Sequence, residues 1–151
     1  ATVILVAVAI TVSVAVSYWM SGISAQYTQF EKVEIQTGYS TKDATGLGWT
    51  ITLDLKNSGS AAATISTIFV NEGPLDSTAY ACASLADANN TLSLIATDMT
   101  VAGETLESGQ TGTILVYVPA SAPGFLSSGT TLDLKLHSAN GNDYIKLIKL
   151  V

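Results

Sequence analysis

Residues 1–30 contain no Asp, Glu, Lys, Arg or His, and Val, Ile, Leu and Ala dominate the first twenty. A bilayer hydrocarbon core of about 30 Å takes about 20 apolar residues in a helix, and this run reaches that length from its first residue. A lone globular domain has no use for such a terminus. Function is therefore mostly a question of what buries it.

The order of residues inside the run pulls the other way, because residues 6–17 alternate large and small with period two, as a strand does. Length overrules the period: strands run four to eight residues, and no turn residue interrupts this stretch before Gly22. In lipid or in a dry core every backbone N–H and C=O needs a partner, and only a helix supplies them within one segment. Wound on 3.6 residues per turn, a period of two spreads Ala, Ser and Thr around the whole circumference and leaves no polar face. Small residues so placed let neighbouring helices approach closely. Ser13 and Ser17 can return their hydroxyls to carbonyls one turn back, so neither opposes burial. Nine Val, Ile and Leu between residues 3 and 16 favour membrane insertion by roughly 3 to 5 kcal/mol. The helix is expected to run to about Phe30, with a weak point at Ser21-Gly22. Tyr18 and Trp19 suit the level where a helix leaves lipid.

From residue 33 the pattern becomes that of strands. Val33 and Ile35 alternate with polar residues; residues 38–48 read as a loop. Residues 47–56 are a half-buried strand, residues 57–60 a turn, and residues 64–70 a second strand expected to pair with the first. Residues 75–99 are poorly legible, with residues 79–83 reading equally as a short strand or a helical turn. Residues 114–118 are apolar on both faces, which marks a central strand ended by Pro119, and Pro123-Gly124 reads as a surface loop. Residues 132–136 alternate, and Asn140-Gly141-Asn142 forms a hairpin into residues 144–151. The expected fold is α+β: residues 1–32 as a hydrophobic polymerisation helix, residues 33–151 as an antiparallel, immunoglobulin-like β-sandwich.

Charge narrows the partners. Twelve acidic residues stand against six Lys and no Arg, a net charge of -6. That balance opposes nucleic-acid binding and polybasic attachment to anionic lipid. Between Asn57 and Leu134 there are seven acids and no Lys, as for a solvated outer surface.

No catalytic constellation is visible. His137 is the single histidine, so a two-His metal site within one chain is impossible. There is no nucleophile elbow, P-loop or dinucleotide fingerprint, and Glu104 and Glu107 lack a visible base or nucleophile partner. Residues 140–143 are oxygen-rich but lack the ligand spacing of a calcium loop, so a plain turn is the simpler reading. No enzyme activity, cofactor or metal is expected. Cys82, without a second cysteine, is either a small buried hydrophobe or the site of an intermolecular disulfide. Asn89-Asn90-Thr91 is an N-glycosylation signal at Asn89. With 16 Ser and 19 Thr, the surface would also suit O-linked sugar or dense subunit packing.

The run ATVILVAVAITVSVAVSYWMSG resembles the mature N-terminus of an archaeal type IV pilin, from which a prepilin peptidase removes a basic leader. The start at Ala1, without Met or a basic segment ahead of the apolar run, agrees with processing of that kind. Ala1 and Leu5 stand where bacterial type IV pilins carry an aromatic residue and a Glu, which favours the archaeal branch. Ala1-Thr2-Val3-Ile4 replaces the Gly-Ile-Gly-Thr run usual in archaellins, which favours a non-motility pilus. The resemblance implies an extracellular adhesive filament of copies of this chain, embedded in the membrane before assembly and served by the peptidase and a pilus assembly machinery. The filament core would then hold Ala1, Val3, Ile4, Leu5, Val6, Val8, Ile10, Val12, Val14, Val16 and Trp19. Two alternatives compete: an archaellin, and a membrane-anchored binding domain that never polymerises.

Overall fold

A computed structural model describes residues 1–122, 124 and 126–151, except for the Thr91 side chain. The chain divides into two units, Ala1–Phe30 and Glu31–Val151. The first is one helix, α1, over Thr2–Tyr27. It passes through Ser21 and Gly22 without a break, because a glycine with no atom near the place of its missing Cβ weakens a helix without deflecting it. It stops short of the expected Phe30. The Thr28 hydroxyl bonds the carbonyls of Ser24 and Ala25, closing the last turn locally instead of continuing it.

The second unit contains nine strands among the described residues: β1 Val33–Lys42, β2 Gly48–Asn57, β3 Ala63–Val70, β4 Gly73–Pro74, β5 Ala96–Thr97, β6 Glu104–Leu106, β7 Thr111–Pro119, β8 Thr131–Ser138 and β9 Asp143–Lys149. One sheet runs β1-β2-β7-β5. The other runs β4-β3-β8-β9, with β6 also on β3. All pairings are antiparallel. With the short β4 and β6 set aside, this is the strand order of an immunoglobulin-type sandwich, β1, β2, β7 and β5 facing β3, β8 and β9.

Alternation on the facing strands fills the space between the sheets. Ile51, Leu53 and Leu55 from β2 meet Leu132, Leu134 and Leu136 from β8, all completely or almost completely buried. Each such side chain contributes about 1.5–3 kcal/mol on burial. The chain end is tied in as well. The Trp49 indole donates to Val151 O at 2.7 Å, the Ser40 hydroxyl donates to Lys149 O at 2.7 Å, and Val151 N donates to the same hydroxyl.

Two local expectations are corrected, and a third region that the sequence left open takes a definite form. The loop expected over residues 38–48 is only residues 43–47, because β1 continues through Gly38 after a bulge at Ile35/Thr37. Gly38 is there for close packing: a Cβ would meet Ile148 Cδ1 at 2.7 Å. The turn itself is organised by the Asp43 carboxylate, which accepts from Thr45 N and Leu47 N. Next, β2 and β3 do not pair. β2 already has β1 and β7 at its sides, so residues 58–62 carry the chain across to the other sheet. The fully buried Asn57 amide holds this crossing, donating to Ala61 O and Leu106 O and accepting from Gly59 N.

The third concerns residues 75–99. They form short helical pieces, Ser77–Ala79, Leu85–Asp87 and Ala88–Leu92, and the two-residue β5. Ala79, Cys82, Leu85, Ala88 and Ala96 pack with Tyr117 in a second small core. That layer covers the outer side of β7, which is why β7 is apolar on both faces. Pro123, expected in a surface loop, lies outside the described residues.

Candidate functional site

Among the described residues, most of the exposed large apolar side chains lie on α1. No residue of the helix is buried, and the residues named for a filament core are exposed, from 48% at Val16 to 82% at Val3. Ala1, Val6, Val8, Ile10, Val12, Val14 and Trp19 are exposed with them. At 3.6 residues per turn, Val3, Ile4, Leu5 and Val6 already point in four directions about a quarter turn apart. The structure therefore gathers the named residues on one rod and on all of its sides.

Hydroxyls do not interrupt this surface. The Thr11 hydroxyl donates to Ala7 O at 2.8 Å and the Ser13 hydroxyl to Ala9 O at 2.7 Å. Both protons are thereby withdrawn into the helix's own backbone. Sequence reading named Ser13 and Ser17 for this role; Ser13 takes it with Thr11, and no such bond from Ser17 is seen among the described residues. At about 1.5 Å rise per residue, the 26 residues span about 39 Å, more than a bilayer core. By length and composition α1 is able to cross a membrane.

In the β unit Glu31 is occupied in local structure. The Glu31 carboxylate accepts from Asn140 Nδ2 at 2.5 Å and from the Tyr144 hydroxyl at 3.0 Å. Burial pushes its carboxyl up, but hydrogen bonds from Ser138, Asn140, Tyr144 and Asn142 outweigh this and hold it below the usual range. Lys32 O accepts from Ser58 N and Gly59 N, so the start of the β unit is fastened before β1 begins. Asn140 is committed to Glu31, and among the described residues no three His, Cys, Asp or Glu side chains lie together as a metal site would need.

His137 lies on the outer side of β8, as its place in the alternation predicts. Its Nδ1 lies 2.6 Å from Asp143 Oδ1, and that hydrogen bond foremost lowers the Asp143 carboxyl. The imidazole also meets the Phe69 ring edge-on. Cys82 is buried, with its thiol 3.4 Å from Ser84 O, which fits the small-hydrophobe reading and not an exposed cross-link. Asn89 is half-buried in the turn Ala88–Leu92, and its Oδ1 accepts from the Ser121 hydroxyl. The side chain of Thr91 lies outside the described residues.

Two features escaped the sequence reading. Glu31 is an anchor, signalled only by being the first charge after thirty uncharged residues. Ile145 and Leu147 point outward on β9; their odd numbering sets them opposite Lys135 and Asp133, which alternation had already placed outside.

No protein-family model and no curated protein matches the chain. Among solved structures, the archaeal flagellum of Methanospirillum hungatei strain JF1 matches with 15% identity over 98% of this chain and 86% of that one, at a TM-score of 0.51. The likeness is one of fold. It takes in the apolar helix as well as the sandwich. The archaellum periplasmic stator protein FlaG from Sulfolobus acidocaldarius matches with 15% identity over 78% of this chain and 99% of its own, at 0.48. The CupB2 chaperone of Pseudomonas aeruginosa matches with 10% identity over 78% and 55%, at 0.43.

Proposed function

We propose that this chain is the structural subunit of an extracellular type IV pilus-like filament, with helices of many copies packed as the core, β domains outside, and adhesion to surfaces as its task. The observation that carries this is α1, a rod long enough to span a bilayer, exposed on every side and without one ionic group. Such a rod needs apolar neighbours all round. Lipid supplies them before assembly, and copies of the same rod supply them afterwards through close packing of small residues. Because the first charged side chain is Glu31, no side chain of the bundle would bring an unpaired charge into it. The fold shared with the Methanospirillum hungatei flagellum supports the reading. A prepilin peptidase and an assembly machinery belong to it, the role is structural instead of catalytic, and Asn89 is its candidate sugar acceptor.

The test is sedimentation and electron microscopy of material purified from its source without detergent. Long filaments are expected; a detergent-free monomer would overturn the reading. The same flagellar likeness favours a second reading, a subunit of a motility filament. Deletion separates the two: loss of attachment with normal swimming supports the pilus, and loss of swimming supports the motility filament.

A further inference from the structure

Across the outer face of the sheet β1-β2-β7-β5, Thr37, Asp54 and Thr113 stand side by side in one row. Both threonine hydroxyls donate to the Asp54 carboxylate, Thr37 to Oδ2 and Thr113 to Oδ1. These bonds hold its carboxyl below the usual range and fix the plane of the group. Each carboxylate oxygen has two acceptor positions, so one on each remains for a ligand. The bulge at Ile35/Thr37 sets Gln36 beside Thr37, a bulge being a means by which a strand re-aims a side chain. Gln36, Thr37, Asp54, Thr111 and Thr113 thereby line an open depression of about 300 Å³. On the same face of β1, about 7 Å beyond Thr37, Tyr39 stands opposite Thr52 and is 51% exposed.

We propose that this depression and the Tyr39 ring bind a neutral oligosaccharide, one sugar lying flat on the ring and the next giving two adjacent hydroxyls to the free positions of Asp54. The class of ligand follows from what the site offers. The hydroxyl protons of Thr37 and Thr113 are spent on Asp54, so these three residues present acceptors, and the Gln36 amide adds donors and an acceptor. A ligand rich in groups that both donate and accept fits such a rim. Its apolar ring face finds a large apolar surface on Tyr39. The charges around the depression select for neutrality. Asp54 opposes an acidic ligand, and Lys56, the next outward residue along β2, opposes a cationic one. Asp54 is the single carboxylate among the described residues lining the depression, whereas a hard cation is held by several oxygen ligands. The proposal gives the adhesion of the filament reading a class of target and rests on that reading for its use; the binding itself belongs to the β unit.

The experiment uses the full chain in micelles of a detergent without a sugar headgroup, titrated calorimetrically with cellohexaose, mannohexaose, maltohexaose and chitohexaose. Hexagalacturonate and tetra-arginine serve as the charged probes. At least one neutral sugar should bind, and neither charged probe should. Tyr39→Ala, which removes the platform, and Asp54→Asn, which leaves one acceptor oxygen of two, should each weaken that binding about tenfold. Glu104→Gln, on the other sheet, should leave it unchanged. Binding of none of the neutral sugars, binding of a charged probe in their place, or unchanged affinity in both site variants would overturn the site. Pelleting of detergent-free material reports separately on assembly: filaments without sugar binding leave the filament reading standing, and sugar binding without filaments leaves the site and ends its use in a filament.

Discussion

The helix and the β unit draw on the same apolar residues and dispose of them in opposite ways. In the sandwich Ile51, Leu53, Leu132 and Leu134 are completely buried by the two sheets that carry them. In α1 the backbone groups between the first and last turns are paired within the segment, yet Val3, Ile10 and Val14 remain exposed. The sandwich is a finished fold. The helix is a finished conformation that still lacks an environment, and the chain's function follows from what supplies it.

The sharpest way to break this contrast is a charge on the rod. Val8→Asp should abolish filament assembly while residues 31–151 keep their melting temperature, read by pelleting and by circular dichroism of the full chain. An uncompensated charge costs about 3–5 kcal/mol in a dry protein interior and about 2.5–3.5 kcal/mol at the centre of a lipid-spanning helix. In a polymer that cost recurs in each subunit. Normal filaments from this variant would remove the helix from the core.

The converse substitution acts on the finished fold. Leu53 is completely buried, and Leu53→Ala should destabilise the β unit by about 2–5 kcal/mol, lowering Tm by about 10 °C or more in a thermal melt. Retention of α1 in detergent should not change. A lost helix signal in that variant would mean that the two units are not independent.

Two glycines bring the comparison down to a single methyl group. Gly48 has φ of 142°, and a Cβ there would lie 2.2 Å from Val118 O. Gly48→Ala should therefore cost about 1–3 kcal/mol in backbone strain alone, measured by denaturant unfolding. Gly22 has open space around it, and Gly22→Ala should stabilise α1 by up to about 1 kcal/mol, measured as helicity in micelles.

Legibility in the sequence followed the same division. A run without charge announces its environment before its shape, so α1 and its apolar surface could be read directly even though residues 6–17 imitate a strand. Alternation also placed β2 and β8, because each must turn one face to a core, and a run apolar on both faces placed β7 between two cores. It did not show which sheet a strand joins. β2 and β3 both present alternate residues to the same core, and only the crossing held by Asn57 tells that they face each other instead of pairing. Residues 75–99 stayed obscure because their pieces are too short for any period, and what holds them is a second small core around Tyr117. Gly38 misled for a different reason: it spares a collision with Ile148, and close approach leaves no local signature.

The smallest effect concerns Glu31, the first charge after the rod and the first residue of the β unit. Its carboxyl is held below the usual range by hydrogen bonds that outweigh its burial. A group whose folded pKa is depressed adds stability that is present above its unfolded value, about 4.3, and that is lost as pH falls through the folded one. Asp43, Asp54, Asp76 and Asp143 are lowered too, so the whole domain should weaken in acid. Comparison with Glu31→Gln isolates the one residue. The amide keeps the shape and one acceptor but cannot change charge, so its stability should fall less steeply than that of the native chain between about pH 5 and 3. At a partly exposed site the difference should stay below about 1 kcal/mol, read from urea midpoints along the pH series. Parallel curves would mean that Asn140 and Tyr144 hold Glu31 by shape alone, and that its charge has no part in fastening the start of the β unit.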